Sequence, residues 1–270
     1  MKSLTKIILA SVILVGAQST PLAKNLPTDG QWREEIDLII SRIHLKHGLR
    51  LIYKNIPDLQ SVQAKFITAV PEDYSKLYRF LQLFEEEIQR YPESFFKKNR
   101  ISTIALVKKH FFDKRPIEGL YDTGYNRIFL DFSRNYDNPV LQRHNIHHEI
   151  YHMIGYQVDH ALDHRDPSWE MLNVKGFAYG DIHKKKVLLN QYNYLASGMP
   201  GFVTEYAMTS PEEDKAEIFA CLMIRAQHKL VNKWVAKDKI LKNKISVLKD
   251  FIQRFCPDMN EEFWKNILEN

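Results

Sequence analysis

His148-Glu149-Ile150-Tyr151-His152 constrains this chain more than any other stretch. Residues four apart on an α-helix project from one face, so the two imidazoles can grip one metal ion, and Glu149 then stands beside that ion as a general base. The pattern requires a helix, and its surroundings supply one. Asn138-Pro139 marks a start with proline at the first helical position. Val140, Leu141, Ile146, Ile150, Met153 and Ile154 give an apolar face, and Gly155 gives a stop. The alternative is a pair of surface histidines on an amphipathic helix. Pairing His144 with His148 leaves no glutamate at the catalytic spacing, so His144 and His147 are read as residues behind the ligands or at the surface.

A metal gripped in this way implies a zinc-dependent hydrolase, and a peptidase first among those. A catalytic zinc needs three protein ligands and an open position. The third is sought in the segment from Tyr206 to Glu217, where Ser210-Pro211 marks another helix start. Glu213 and Glu217 then lie four apart on one face of the first turns. One carboxylate can bind the metal while the other orients a histidine ring through its free N–H. A capping box is the competing reading: Ser210 and Glu213 would satisfy each other's backbone amides and neither carboxylate would touch metal. Local sequence leaves these readings open.

The remainder of the chain is read around these two helices. Trp32 to His47 has helical spacing, Leu49 to Tyr53 reads as a strand, and residues 72–90 form a helix with a broad aromatic and aliphatic stripe that belongs to the core. Pro92 ends or kinks that helix. Ser102 to Val107 reads as a strand, the turn chemistry of Tyr121-Asp122-Thr123-Gly124-Tyr125 follows, and Asn126 to Asp131 alternates as another strand. Asp159 to Ser197 reads as long loops near the site, and the chain is helical from Ser210 to its end. The expected fold class is α+β: a small sheet packed on the helix of His148, with a mainly helical C-terminal part.

Composition sets the outer bounds. With 270 residues and 44% hydrophobic content the chain is long and apolar enough to bury a core. Lys2, Lys6, an apolar run of about 10 residues from Ile7 to Gly16, and Val15-Gly16-Ala17 read as a signal peptide, since a membrane span takes about 20 residues. Cleavage after Ala17 and export, secreted or periplasmic, are expected, with residues 18–270 as one domain: an N-terminal α/β part to about 155 and a helical part from about 200. No later stretch is apolar enough to span a membrane. The formal net charge of +5, two units of it in that leader, singles out no partner, and the lysines from Lys184 to Lys186 and from Lys233 to Lys244 read as solvated surface rather than a nucleic-acid face. Cys221 and Cys256 are candidates for a disulfide or for two buried thiols.

The combination of His148-Glu149-x-x-His152 with Tyr206 and Glu213 resembles the gluzincin metallopeptidases, in particular the catalytic domain of anthrax lethal factor and the secreted Pro-Pro endopeptidases. There a tyrosine stands seven residues before the glutamate ligand, as Tyr206 stands before Glu213, and a further glutamate often follows four residues on, as Glu217 does. The stretch Gly201 to Glu217 is also similar to a set of exported, uncharacterised zinc metallopeptidases. The resemblance spans roughly Arg100 to Met223. It implies a zincin-like fold and a zinc ion held by His148, His152 and Glu213, with Glu217 orienting a histidine. It further implies a water activated by zinc with Glu149 as general base, Tyr206 donating to the oxyanion, and a peptide or protein substrate paired along the strand Arg127 to Asp131. Two features depart from that pattern. The separation between His152 and Glu213 is longer than in those relatives, and the segment carrying Trp169, Leu172-Asn173, Gly176-Phe177 and Tyr179-Gly180 has no counterpart there.

Other chemistries lack their motifs. The chain has no Gly-rich phosphate loop with lysine, no G-x-G-x-x-G, no G-x-S-x-G and no C-x-x-C. The rival readings are a peptidase-like binding protein that holds zinc without cleaving, and an interaction protein whose histidines are incidental.

Overall fold

The structure, a computed structural model, describes residues 28–57, 64–98, 103–159, 166–180 and 198–269. The leader and its cleavage site lie outside the described residues, as does most of the segment between Asp159 and Ser197. The first helix, α1 (Asp29–His47), is fixed at both ends by local chemistry. Thr28 and Gln31 form a reciprocal capping box, and Gly48 at φ 73 turns its N–H back onto the His44 carbonyl at 2.8 Å. A short strand β1 (Arg50–Ile52) and a second, β2 (Ala64–Ile67), follow. Helix α2 (Tyr74–Ile88) carries the expected stripe: Leu77, Phe80, Leu81, Phe84 and Ile88 are all buried. After α3 (Glu93–Lys98) the long strand β3 (Thr103–Phe112) begins, then β4 (Arg115–Pro116), β5 (Gly119–Asp122) and β6 (Arg127–Asp131).

The sheet is mixed, in the order β1-β3-β6-β5. β1, β3 and β6 run parallel, β5 is antiparallel to β6, and β2 and β4 pair with the distal half of β3. Lys109 takes φ 51 where the β2 register slips, the mark of a β-bulge in this half of β3. Alternate residues explain why the central strands read as near-continuous apolar runs. Ile104, Leu106, Ile128 and Leu130 meet the helices, while Ala105, Val107 and Phe129 meet Ile56, Phe66 and Leu120 on the other face.

Helix α4 (Pro139–Asp159) bears the histidine motif. Asn138 Oδ1 accepts from the Leu141 N–H at 3.1 Å, and Pro139 opens the helix as expected. Gly155 does not stop it. The helix continues one further turn, because Gly155 has no positive φ and its neighbours leave room for the helical path. After α5 (Pro167–Glu170), the C-terminal part comprises α6 (Pro211–Met223), α7 (Arg225–Val235), α8 (Lys239–Phe255) and α9 (Glu261–Glu269). α6 packs along α4, and one cluster of buried residues runs from Ile36 to Ile267. Cys221 and Cys256 are both buried and unbonded. Among the described residues no helix is long and apolar enough to cross a membrane.

A buried charge network binds α2 to the back of α4. Glu87, fully buried, accepts from Arg90 at 2.8 Å, from Arg143, and pairs with His147 Nε2 at 2.9 Å, while His147 Nδ1 meets the Tyr91 hydroxyl at 2.7 Å. His147 is thus a buried anchor on the face away from the metal motif. Burial alone would raise the Glu87 pKa, but the hydrogen bond to His147 and the charges of Arg90 and Arg143 prevail and hold it at about 2, against an ordinary value of 4.5. A carboxylate whose folded pKa is depressed contributes stability above its unfolded pKa and loses it as pH falls toward the folded one. Glu87 should therefore contribute on the order of 3 kcal/mol at neutral pH, lost between about pH 5 and pH 2. Urea midpoints of wild type and Glu87→Gln should converge across that window, and a constant difference would contradict the assignment.

Candidate metal centre

Helices α4 and α6 bring two ladders of side chains face to face, each rung one turn from the next. His148 and His152 come from α4, and Glu213 and Glu217 from α6. Glu213 Oε2 lies 3.0 Å from His148 Nε2 and 3.3 Å from His152 Nε2, and the two Nε2 atoms are 3.0 Å apart. Glu213 Oε2 is buried, and these contacts are ion-pair separations that do not meet hydrogen-bond geometry. Three ligand atoms of types N, N and O thus lie together, and His148 and His152 bridge Nε2 to Nε2. A tetrahedral zinc with bonds near 2.0–2.1 Å separates its ligand atoms by about 3.3 Å, so this donor set fits zinc by identity and spacing.

The choice between metal ligand and helix cap for Glu213 has a divided answer. Ser210 Oγ does accept the Glu213 N–H at 3.1 Å, so serine caps α6, but the Glu213 carboxylate turns to the histidines instead of reaching back to complete a box. Glu217, one turn on, faces the other nitrogen of the first histidine: His148 Nδ1 to Glu217 Oε1 is 2.8 Å. A carboxylate oxygen only accepts, so His148 Nδ1–H donates in this contact, and Nε2 is the atom turned toward Glu213 and His152. The same Glu217 oxygen meets His144 Nε2 at 3.0 Å, and His144 Nδ1 meets Gln227 Oε1 at 3.0 Å. His144 is therefore a buried member of the site's support and not a surface residue, and Gln227 joins it without having been foreseen.

Electrostatics follow from this packing. Burial lowers the tendency of His148 to carry a proton, but the adjacent Glu213 and Glu217 carboxylates outweigh it and raise its pKa well above the ordinary value. Glu213 is held well below the usual carboxylate range by His152 and His148, against burial. Glu149 is nearly buried at 7% exposure, and burial raises its pKa despite the nearby histidines. Tyr206 sits in a single 3-10 turn (Tyr206–Met208) just before α6, with its ring centroid 5.9 Å from that of His148. Burial and then Glu213 push its hydroxyl well above the ordinary range, so it stays protonated and able to donate.

Strand β6, Arg127 to Asp131, is not the edge that the sequence suggests for substrate pairing. It lies between β3 and β5, and its hydrogen-bonding groups face both neighbours. Among the described strands, β5 forms that end of the sheet and packs on α4.

The segment 166–180 enters the site from behind. Asp214, next to Glu213, is fully buried, and its Oδ2 accepts from Trp169 Nε1 at 2.8 Å, Tyr179 OH at 2.6 Å and Lys244 Nζ at 2.7 Å. Lys244 also donates to the Gly201 carbonyl at 2.9 Å and lies over the Phe202 ring. Lys244 is thus fully buried, a correction to its reading as solvated surface. Its position in α8, aligned with Leu241, Ile245 and Leu248, was the available signal, since a lysine on the apolar stripe of a helix must find a partner inside.

The family described as "Putative zinc-binding metallo-peptidase" matches residues 63–257. The chain belongs to this family. A solved structure of a putative zinc-binding metallo-peptidase from Bacteroides caccae ATCC 43185 is similar in fold, with a TM-score of 0.55 at 16% identity, covering 88% of this chain and 91% of that one. No curated protein matches. The family match takes in both α4 and α6, and therefore every residue that converges at the centre.

Proposed function

We propose that this protein is an exported zinc metallopeptidase of the gluzincin type, with a zincin-like domain spanning residues 18–270 behind a leader of residues 1–17. The observation that carries the reading is the convergence of His148 Nε2, His152 Nε2 and the unbonded, buried Glu213 Oε2 at one point. Zinc held there supplies a Lewis acid that acidifies water and polarises a peptide carbonyl. Glu149, adjacent in sequence to His148, accepts the proton of the attacking water and delivers it to the leaving amine. Burial raises its pKa above the ordinary carboxylate value, which makes it a stronger base than an exposed glutamate. Tyr206 donates a hydrogen bond to the oxyanion as the carbonyl carbon becomes tetrahedral. Glu217 keeps His148 in the ligating tautomer, and His144 in turn holds Glu217. The substrate is a peptide or protein segment laid as an added strand along β5, so that backbone pairing supplies affinity and side-chain pockets supply preference.

The purified protein should carry about one zinc per chain. Glu213→Ala should lose it, while Glu217→Ala should weaken binding about 10–100-fold with the site still loadable. Metal analysis of these two variants, with cleavage of a denatured protein substrate, tests the reading. Zinc retained in Glu213→Ala but lost in Glu217→Ala would reverse the two roles. Stoichiometric zinc with no cleavage of any peptide would make the protein a zinc-holding binding protein instead.

A further inference from the structure

Glu149 is packed against the backbone of β5. Gly119 and Tyr121 both face α4: Gly119 meets Glu149, and the Tyr121 ring lies 5.6 Å from that of Tyr156. A Cβ placed on Gly119 would stand 2.6 Å from both Cδ and Oε1 of Glu149, and nearer still to Cγ. Such separations lie well inside van der Waals contact. The atoms met include the root of the carboxylate as well as its tip, so the side chain could not escape by a small rotation of its end. The backbone does not demand glycine here, because Gly119 is absent from the positive-φ glycines of the described chain. What excludes a side chain is Glu149.

We infer that Gly119 is a positioning residue for Glu149: by lacking a side chain, it leaves the space in which the carboxylate is held beside His148 and His152. The inference rests on Glu149 being the general base. It gives β5 two tasks, because the strand whose outer edge would pair with substrate also fixes, through Gly119, where the proton acceptor stands. Any displacement of β5 would therefore move the base, and a residue larger than glycine at 119 would displace one or the other.

The test is a double-mutant cycle with a kinetic arm. In thermal unfolding of the zinc-free chain, Gly119→Ala should lower Tm by about 3–8 °C. In a Glu149→Ala background, where the space is empty, it should lower Tm by less than about 2 °C. In the zinc-loaded protein, Gly119→Ala should reduce kcat about 100-fold with KM within about threefold and zinc retained, the pattern of a misplaced base and not of lost substrate binding. Gly155→Ala is the control, since its Cβ would meet only Tyr151 Cε1 at 3.9 Å, and it should leave kcat within about twofold. Equal Tm losses in the two backgrounds, together with a wild-type kcat for Gly119→Ala, would overturn the inference. Should the wild-type protein cleave nothing, the proposed activity fails while the Tm cycle still decides: non-additivity upholds the placement of Gly119 against Glu149, and additivity removes it.

Discussion

Glu149→Ala should abolish measurable peptide cleavage, with kcat reduced by about 10²–10⁴-fold, and leave zinc content unchanged. The two results separate because the carboxylate acts on the proton of the attacking water and contributes no atom to the metal-facing set of His148, His152 and Glu213. Tyr206→Phe should act on the other half of the reaction. Removing one oxyanion donor reduces kcat by about 10²–10³-fold while substrate still binds, so KM should move little. Wild-type turnover in Glu149→Ala, measured on a peptide that the parent cleaves, would exclude the general-base role.

Asp214→Ala should destabilise the fold by about 3–5 kcal/mol, because it leaves the Lys244 ammonium fully buried with the Gly201 carbonyl, the rings of Phe202 and Trp169 and the field of Asp238, but no carboxylate in contact. For a chain of this size that corresponds to a fall in Tm of roughly 10 °C. Burial shifts both partners toward neutrality, raising Asp214 and lowering Lys244, which shows how costly the pair is to hold in the interior. Replacing both, as in Asp214→Asn with Lys244→Met, should therefore recover most of the loss. The amide still accepts from Trp169 and Tyr179, and the thioether needs no counter-charge. Chemical denaturation of wild type and these two variants measures this, and an Asp214→Ala variant within about 1 kcal/mol of wild type would contradict the account. Trp169 and Tyr179 give the hub its functional weight. They tie segment 166–180 to the first turn of α6, the turn that presents Glu213.

Much of the site was legible in the linear sequence because its logic is local. A spacing of four places His148 and His152 on one face of α4, and the same spacing places Glu213 and Glu217 on one face of α6, whatever the remainder of the chain does. Asn138-Pro139 and Ser210-Pro211 announce the two helix starts through capping chemistry that needs only neighbouring residues. The α+β character was legible for the same reason, since the helical stripe of α2 differs from the short apolar runs of β3 and β6. Gly155 misled because glycine is tolerated inside a helix as well as beyond its end, and nothing local tells the two apart.

What the sequence by itself determined, then, is which side chains each helix can present together. What only the tertiary structure decided is which of those faces meet. Whether Glu213 completes a cap or turns to the histidines depends on α6 lying along α4, a contact between segments distant in the chain. That β5 and not β6 forms the sheet end beside α4 depends on strand order, which periodicity does not encode. That Lys244 lies inside, that His144 meets Glu217, and that a Cβ at Gly119 would meet Glu149 are likewise statements about what another segment puts at the same place. The physical reason is common to all of them. Hydrogen-bonding capacity and helical spacing belong to a residue and its near neighbours, whereas burial, pairing and excluded volume belong to pairs that folding alone brings together.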